Sequence, residues 1–325
     1  MSRLVDRFGR EHRDLRVSLT DRCSLRCTYC MPAEGLPWLP APELLSTPEL
    51  VRLVRLTTTL GIEEVRLTGG EPLLRPDVVS VVEALADVAE LSVTTNGLVL
   101  ERLAPALRAA GLRRANISID TLRPERFLAM TRRNRLDDVL AGLAAAQQAG
   151  LHPVKLNTVL MRGVNDDEAV DLLRFALERD LHLRFIEQMP LDAQHAWQRT
   201  EMVTAEEILD ALSTVYTLDP VPGRGSAPAE EFFVDGGPQT VGVIGSVTRP
   251  FCGNCDRLRL TADGQLRTCL FARTESDLRT PLRAGASDAE LTEQILTAVL
   301  GKQAGHGIDE PTFLQPPRPM SAIGG

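Results

Sequence analysis

A regular switch between short β-rich runs and helical stretches constrains this chain more than any other feature. Runs rich in apolar and β-branched residues occur at Leu15–Thr20, Glu64–Thr68, Leu91–Thr95, Ala115–Asp120, Val154–Val159 and His182–Ile186. Helical patterns lie between them near Asp77–Val88, Val99–Ala110, Leu136–Ala149 and Glu168–Arg179. Ser46-Thr47-Pro48-Glu49 opens another helix with a capping residue and a first-turn proline, and Gly61, Gly111 and Gly150 stand where C-caps belong. Repeated βα units predict a parallel sheet covered by helices, either an incomplete (βα)6 TIM-like barrel or an open doubly wound sheet. The polar residues favour the barrel. Thr68-Gly-Gly-Glu71, Thr94-Thr-Asn96, Ser118-Ile-Asp120, Lys155-Leu-Asn157 and Arg184–Met189 all fall at the C-terminal ends of strands, the rim where barrel enzymes collect their function.

The alternation stops near residue 200. Thr204-Ala-Glu-Glu207 reads as a capped helix and Pro220–Pro228 as a Gly/Pro-rich loop. Glu231–Val234, Thr240–Ile244 and Leu258–Cys269 read as strands, the last bent at Ala262-Asp-Gly264, and Ser287–Leu300 as a helix. This predicts a C-terminal α+β extension, with residues 7–225 as the core domain and 226–325 as the extension. On composition, the tail from Gln303 to Gly325 reads as a frayed terminus.

With 325 residues, 43% of them hydrophobic, the chain can bury a large core. It has no apolar run of membrane-spanning length and begins without a signal-peptide pattern, which predicts a cytoplasmic protein with reduced thiols. A net charge of −8 argues against nucleic-acid and membrane partners, so any anionic ligand needs a local cluster of cations. Lysine occurs only at Lys155 and Lys302 in an arginine-rich chain, so a lysine kept at a strand end hints at a specific role.

All six cysteines fall into two triplets. Cys23, Cys27 and Cys30 are separated by three and then two intervening residues, and Cys252 and Cys255 are joined by Cys269. Soft thiolates at such spacing suit zinc, copper(I) or iron–sulfur. A structural zinc site wants four protein ligands, so three cysteines without a neighbouring histidine favour a cluster with one open iron. Zinc at the second triplet is the alternative.

Cys23-x3-Cys27-x2-Cys30, Tyr29 and Gly69-Gly-Glu-Pro72 resemble the radical S-adenosylmethionine (SAM) enzymes. The wider string is similar to the GTP 3',8-cyclases, the branch that opens molybdenum cofactor biosynthesis. It comprises Asp14–Arg22, Val65–Arg75, Thr94–Gly97, Arg184-Phe-Ile-Glu187, Phe251–Arg259 and the Gly-Gly terminus. The resemblance implies two [4Fe–4S] clusters, one on each triplet. At the first, SAM is cleaved by one electron to a 5'-deoxyadenosyl radical. The second anchors guanine, so that C3' of the ribose attacks C8. By resemblance Tyr29, Gly70, Ser118 and Met189 line the SAM site. GTP contacts fall to Arg16, Arg66, Thr94, Lys155 and the Arg257-Leu258-Arg259 segment, with Arg184 as an extension. Arg257 and Arg259, two apart in an extended run, point the same way. Gly70 fits a place where backbone approaches the methionine part of SAM. Glu64 departs from the pattern, since some relatives carry a basic residue there.

The resemblance further implies an external one-electron donor, flavodoxin-like or ferredoxin-like, and a downstream cyclic pyranopterin monophosphate synthase. It leaves room for a homodimer. Two other readings compete: another radical SAM enzyme with an auxiliary cluster, of the peptide-modifying type, and a non-catalytic iron–sulfur electron carrier. The first usually carries more C-terminal cysteines, and the second needs four ligands per centre.

Overall fold

The computed structural model describes residues 3–87 and 89–324. Val88, the expected end of the second helix, and Gly325 lie outside the described residues.

Parallel strands β1 (Asp14–Ser18), β2 (Glu64–Thr68), β3 (Glu90–Thr95), β4 (Arg114–Ser118), β5 (Val154–Val159) and β6 (His182–Ile186) pair in sequence order. Their helices are α1 (Thr47–Thr59), α2 (Val78–Leu85), α3 (Leu100–Ala109), α4 (Pro124–Thr131), α5 (Leu136–Gln148) and α6 (Ala169–Leu177). The expected βα order is observed, and these units form the incomplete (βα)6 barrel. Helix α4 was not expected from sequence, although Pro124 and Glu125 at its start are an ordinary helix-opening signal.

The C-terminal elements comprise α7 (Ala205–Ser213), β7 (Leu218–Pro220), β8 (Glu230–Val234), β9 (Thr240–Ile244), β10 (Arg257–Leu260), β11 (Gln265–Arg267) and β12 (Ser276–Asp277), then α8 (Arg279–Arg283), α9 (Asp288–Leu300) and α10 (Met320–Ile323). The run expected over Leu258–Cys269, bent by a turn at Ala262-Asp-Gly264, is the β10–β11 hairpin. Rather than forming a separate sheet, these strands extend the first one at both edges. β9 pairs parallel with β6 and β10 parallel with β1, giving twelve strands in the order β12-β11-β10-β1-β2-β3-β4-β5-β6-β9-β8-β7.

Local chemistry explains the ends of the elements. Ser46 with Glu49, Thr204 with Glu207 and Ser287 with Glu290 form reciprocal capping boxes on α1, α7 and α9. Strand residues alternate between two faces. Leu15 and Val17, Val65 and Leu67, Leu91 and Val93, Ala115 and Ile117, Leu183 and Phe185 are at most 1% exposed and join the helix-packed core. Each such Val, Leu, Ile or Phe side chain contributes about 1.5–3 kcal/mol. The alternate residues, among them Arg16, Arg66, Thr94, Asn116, Asn157 and Arg184, face the barrel interior, which is therefore polar rather than packed.

The tail is not frayed. Ile323 is 1% exposed and packs with Leu191 and Phe271 in a small second core. Gly324 N–H donates to the Met320 carbonyl (2.9 Å), and the Gly324 carbonyl accepts from Arg259. Composition misleads here because the tail is ordered by contacts with distant barrel residues.

Candidate active site

The chain leaves β1 directly into the loop carrying Cys23, Cys27 and Cys30, and α4 holds that loop. Arg26 N–H donates to the Thr131 carbonyl (3.0 Å) and Thr28 N–H to that of Met130 (2.9 Å). Arg132, left-handed at φ 57°, donates to the carbonyls of Arg26 (2.7 Å) and Met31 (3.1 Å). From the other side, the β2 turn lies against the loop. A Cβ on Gly70 would stand 2.4 Å from the Arg22 carbonyl oxygen and 2.5 Å from that of Asp21. The space denied to a side chain at Gly70 is thus filled by the cysteine loop's own backbone.

One cavity of about 310 Å³ in the barrel interior is lined by all six cysteines, which are free thiols. Around the first triplet the surroundings are acidic. Glu71 is 1% exposed and accepts from Thr95 Oγ1 (2.7 Å), Asn96 N (2.7 Å) and Leu73 N (3.0 Å). Burial pushes its carboxyl up to about 7. Asp120 accepts from Tyr29 OH (2.7 Å) and Val159 N (2.9 Å), and burial pushes it up to about 6. The Cys23 thiol is pushed up to about 11, by burial and then by Glu71. Thiols so placed ionise only against a strong positive centre.

The other side of the cavity is cationic, and strand register explains why. Arg16 pairs laterally with Arg66 on β2 and with Arg259 on β10, while Asp14 pairs with Arg257. Burial, followed by repulsion from Arg66, pushes Arg16 down to about 9. Burial also lowers Arg66 and Arg184 to about 10 each. Arg184 is aimed by Asn157 Oδ1 (2.8 Å) and Asn116 Oδ1 (2.8 Å). Arg257 stacks 4.3 Å from the Phe251 ring centroid. Among the described residues, Arg16 Nε, Arg257 Nε and Nη2, and Thr94 Oγ1 are buried without a hydrogen-bond partner. Crowded, partly unpaired buried cations call for an anion. Asp14 supplies one carboxylate, 3.7 Å from Arg16. Burial works to raise its carboxyl, but Arg16, Arg66, Arg257 and Arg259 together hold it below its usual range.

Of the expected site residues, Arg16, Tyr29, Arg66, Gly70, Thr94, Ser118, Arg184, Met189, Arg257 and Arg259 line this cavity with both triplets. Two do not. Leu258 is 0% exposed and points into the hydrophobic core, as its position between Arg257 and Arg259 requires. Lys155 sits toward the start of β5, in register with Asn116 and His182. Burial and then Arg184 lower it to about 8. Glu64 forms ion pairs with Arg114 (3.0 Å), which also meets Glu90 (3.0 Å). Asn96 and Asp120, read from sequence only as strand-end polar residues, and Phe251, read only as part of the resembling segment, also line the cavity. Sequence reasoning missed His306 and Ser321 on the lining.

No three His, Cys, Asp or Glu side chains among the described residues close around one ion. The three thiols of the first triplet nevertheless feel one another's charge at Cys27, and those of the second do so at Cys252. Thiols grouped in this way around a cavity suit a polynuclear iron–sulfur group.

Residues 17–176 match the model of the radical SAM superfamily, and residues 181–308 match that of molybdenum cofactor synthesis C. A GTP 3',8-cyclase of Streptomyces coelicolor is 62% identical over 99% of this chain and 96% of its own length. The chain belongs to the GTP 3',8-cyclase family. Other members similar to it include those of Mycolicibacterium smegmatis, 56% identical over 99% of this chain and 92% of that one, and Corynebacterium glutamicum, 53% over 99% and 89%. Among solved structures, Streptococcus suis SuiB superposes with a TM-score of 0.61 at 13% identity, covering 92% of this chain and 68% of that one. SuiB bound to S-adenosylmethionine gives 0.59, covering 83% and 64%. At that identity the likeness speaks for the family's fold. No helix among the described residues is long and apolar enough to cross a membrane.

Proposed function

We infer that this chain is a GTP 3',8-cyclase acting in the first step of molybdenum cofactor biosynthesis. The observation that carries the reading is the polarity of one cavity, with an acidic, thiol-lined side and an arginine-lined side. Cys23, Cys27 and Cys30 hold one [4Fe–4S] cluster, and Cys252, Cys255 and Cys269 the other. When bound, the first cluster and SAM would supply a 5'-deoxyadenosyl radical to take H3' of GTP; C3' would then bond to guanine C8, and a further electron and a proton would complete 3',8-cyclo-7,8-dihydro-GTP.

The chain's own residues bind and orient. Tyr29, Gly70, Ser118 and Met189 would hold SAM, whose sulfonium charge suits the side bearing buried Glu71 and Asp120. Arg16, Arg66, Arg184, Arg257 and Arg259 receive the triphosphate, which offsets their mutual repulsion. Thr94 offers its unpaired hydroxyl, and Lys155 acts through charge from the base of the barrel. Arg114, tied to Glu64 and Glu90, keeps a cation near the position where Glu64 departs from some relatives. The apolar cluster of Leu191, Phe271 and Ile323 closes one side of the cavity against water. We place the protein in the cytoplasm, with a flavodoxin-like or ferredoxin-like electron donor and a cyclic pyranopterin monophosphate synthase downstream. Residues 7–225 form the radical SAM core and 226–325 the auxiliary region.

GTP carrying deuterium at ribose C3' tests the reading. The label should appear in 5'-deoxyadenosine as the cyclised nucleotide forms; 5'-deoxyadenosine free of deuterium would contradict it.

A further inference from the structure

Lys302, one of two lysines in the chain, is 2% exposed. It follows Gly301 at the end of α9, with Nζ 3.7 Å from Cys255 Sγ and 2.8 Å from the Arg257 carbonyl oxygen. A buried ammonium is costly to desolvate unless an anion faces it. No carboxylate pairs with Lys302 among the described residues, and the group in reach that can carry negative charge is the Cys255 sulfur. The segment following α9 also meets the rest of this triplet's loop. Arg10 bridges the Cys252 carbonyl (2.6 Å) to those of Gln303 (2.7 Å) and Ala304 (3.0 Å). A Cβ on Gly305 would stand 3.7 Å from that of Cys252.

We propose that Lys302 is a positioning residue for the auxiliary cluster, fixing the Cys255 sulfur by an N–H···S hydrogen bond and offsetting the charge of the ligated centre. This rests on reading Cys252, Cys255 and Cys269 as cluster ligands. Outer-shell donors to a thiolate tune both metal retention and potential, so the ammonium makes the centre easier to reduce and slower to lose iron. Through the Arg257 carbonyl the same ammonium anchors the start of β10, from which Arg257 and Arg259 enter the cavity. A long cationic side chain suits this place because its several N–H donors can serve a sulfur and a carbonyl together.

The test uses the full-length chain carrying Cys23→Ala, Cys27→Ala and Cys30→Ala, reconstituted anaerobically so that only the auxiliary cluster remains. Lys302 is kept, or changed to Met or Arg. A parent without iron and sulfide contradicts the ligand assignment itself. With the cluster present, an EPR-monitored redox titration should give a more negative midpoint for Lys302→Met and a near-parental one for Lys302→Arg. Lys302→Met should also lose iron to a chelator several-fold faster. Parental potential and iron retention in Lys302→Met would overturn the role. If Lys302→Met fails to fold, a folded Lys302→Arg with parental values supports it. Failure of both to fold, or a folded Lys302→Arg that loses the parental values, leaves Lys302 as packing and overturns it.

Discussion

Gly70 and the interior arginines show how single positions carry this site. At Gly70 any side chain collides with the carbonyls of Asp21 and Arg22, so the substitution moves the cysteine loop rather than a neighbouring rotamer. Gly70→Ala is expected to lower iron bound at the first triplet and to cut SAM cleavage by at least about tenfold, the equivalent of roughly 1.4 kcal/mol. Iron analysis of a Cys252→Ala background, together with 5'-deoxyadenosine yield, measures both. Arg184 is aimed by Asn157 and Asn116 and is 5% exposed. A charged hydrogen bond contributes about 1.5–3 kcal/mol, so Arg184→Ala should raise the KM for GTP by roughly ten- to a hundredfold. Iron content should stay unchanged, and steady-state kinetics against GTP concentration gives the answer.

Among the elements, the arm before β1 does more than lead into the barrel. Asp6 binds Arg10 (2.6 Å) and His12 (3.2 Å), and Arg10 reaches the auxiliary loop at Cys252. Asp6, Lys302 and the Asp256 backbone face His12, which is 1% exposed. Burial, then the Lys302 charge, pushes its imidazole from the usual 6.5 down to about 4. The unfolded chain therefore binds the extra proton between those values, and stability is full above pH 6.5 and declines as pH falls toward 4. The loss from this group is on the order of 3 kcal/mol. Thermal unfolding should show this acid-side decline in the native chain and less of it in His12→Gln; identical pH profiles would contradict the assignment. Helix α4 is the element that sequence reasoning overlooked. Its importance comes from the cysteine-loop carbonyls and amides it binds, which only the fold brings together.

Over the whole molecule, the parallel order of β1 to β6 was legible because each strand carries its own alternation, a capping box opens α1, and Gly61, Gly111 and Gly150 follow α1, α3 and α5. The polar interior was legible in part. Arg16, Arg66 and Arg184 occupy alternate positions on their strands, but their meeting with Arg257 and Arg259 depends on β10 pairing parallel with β1 across more than half the chain. Composition did not show the buried tail, which only the family resemblance implied, since Ile323 and Gly324 are held by Leu191, Phe271 and Arg259 far away in sequence. That long-range closure makes one cavity of two cysteine triplets and a row of arginines, and the functional claim stands on it. The most direct test is SAM cleavage by the reduced, reconstituted protein with different nucleotides. The account predicts that GTP, and not ATP, brings 5'-deoxyadenosine and 3',8-cyclo-7,8-dihydro-GTP in equal amounts. Turnover supported by ATP or a peptide while GTP stays inert would contradict it.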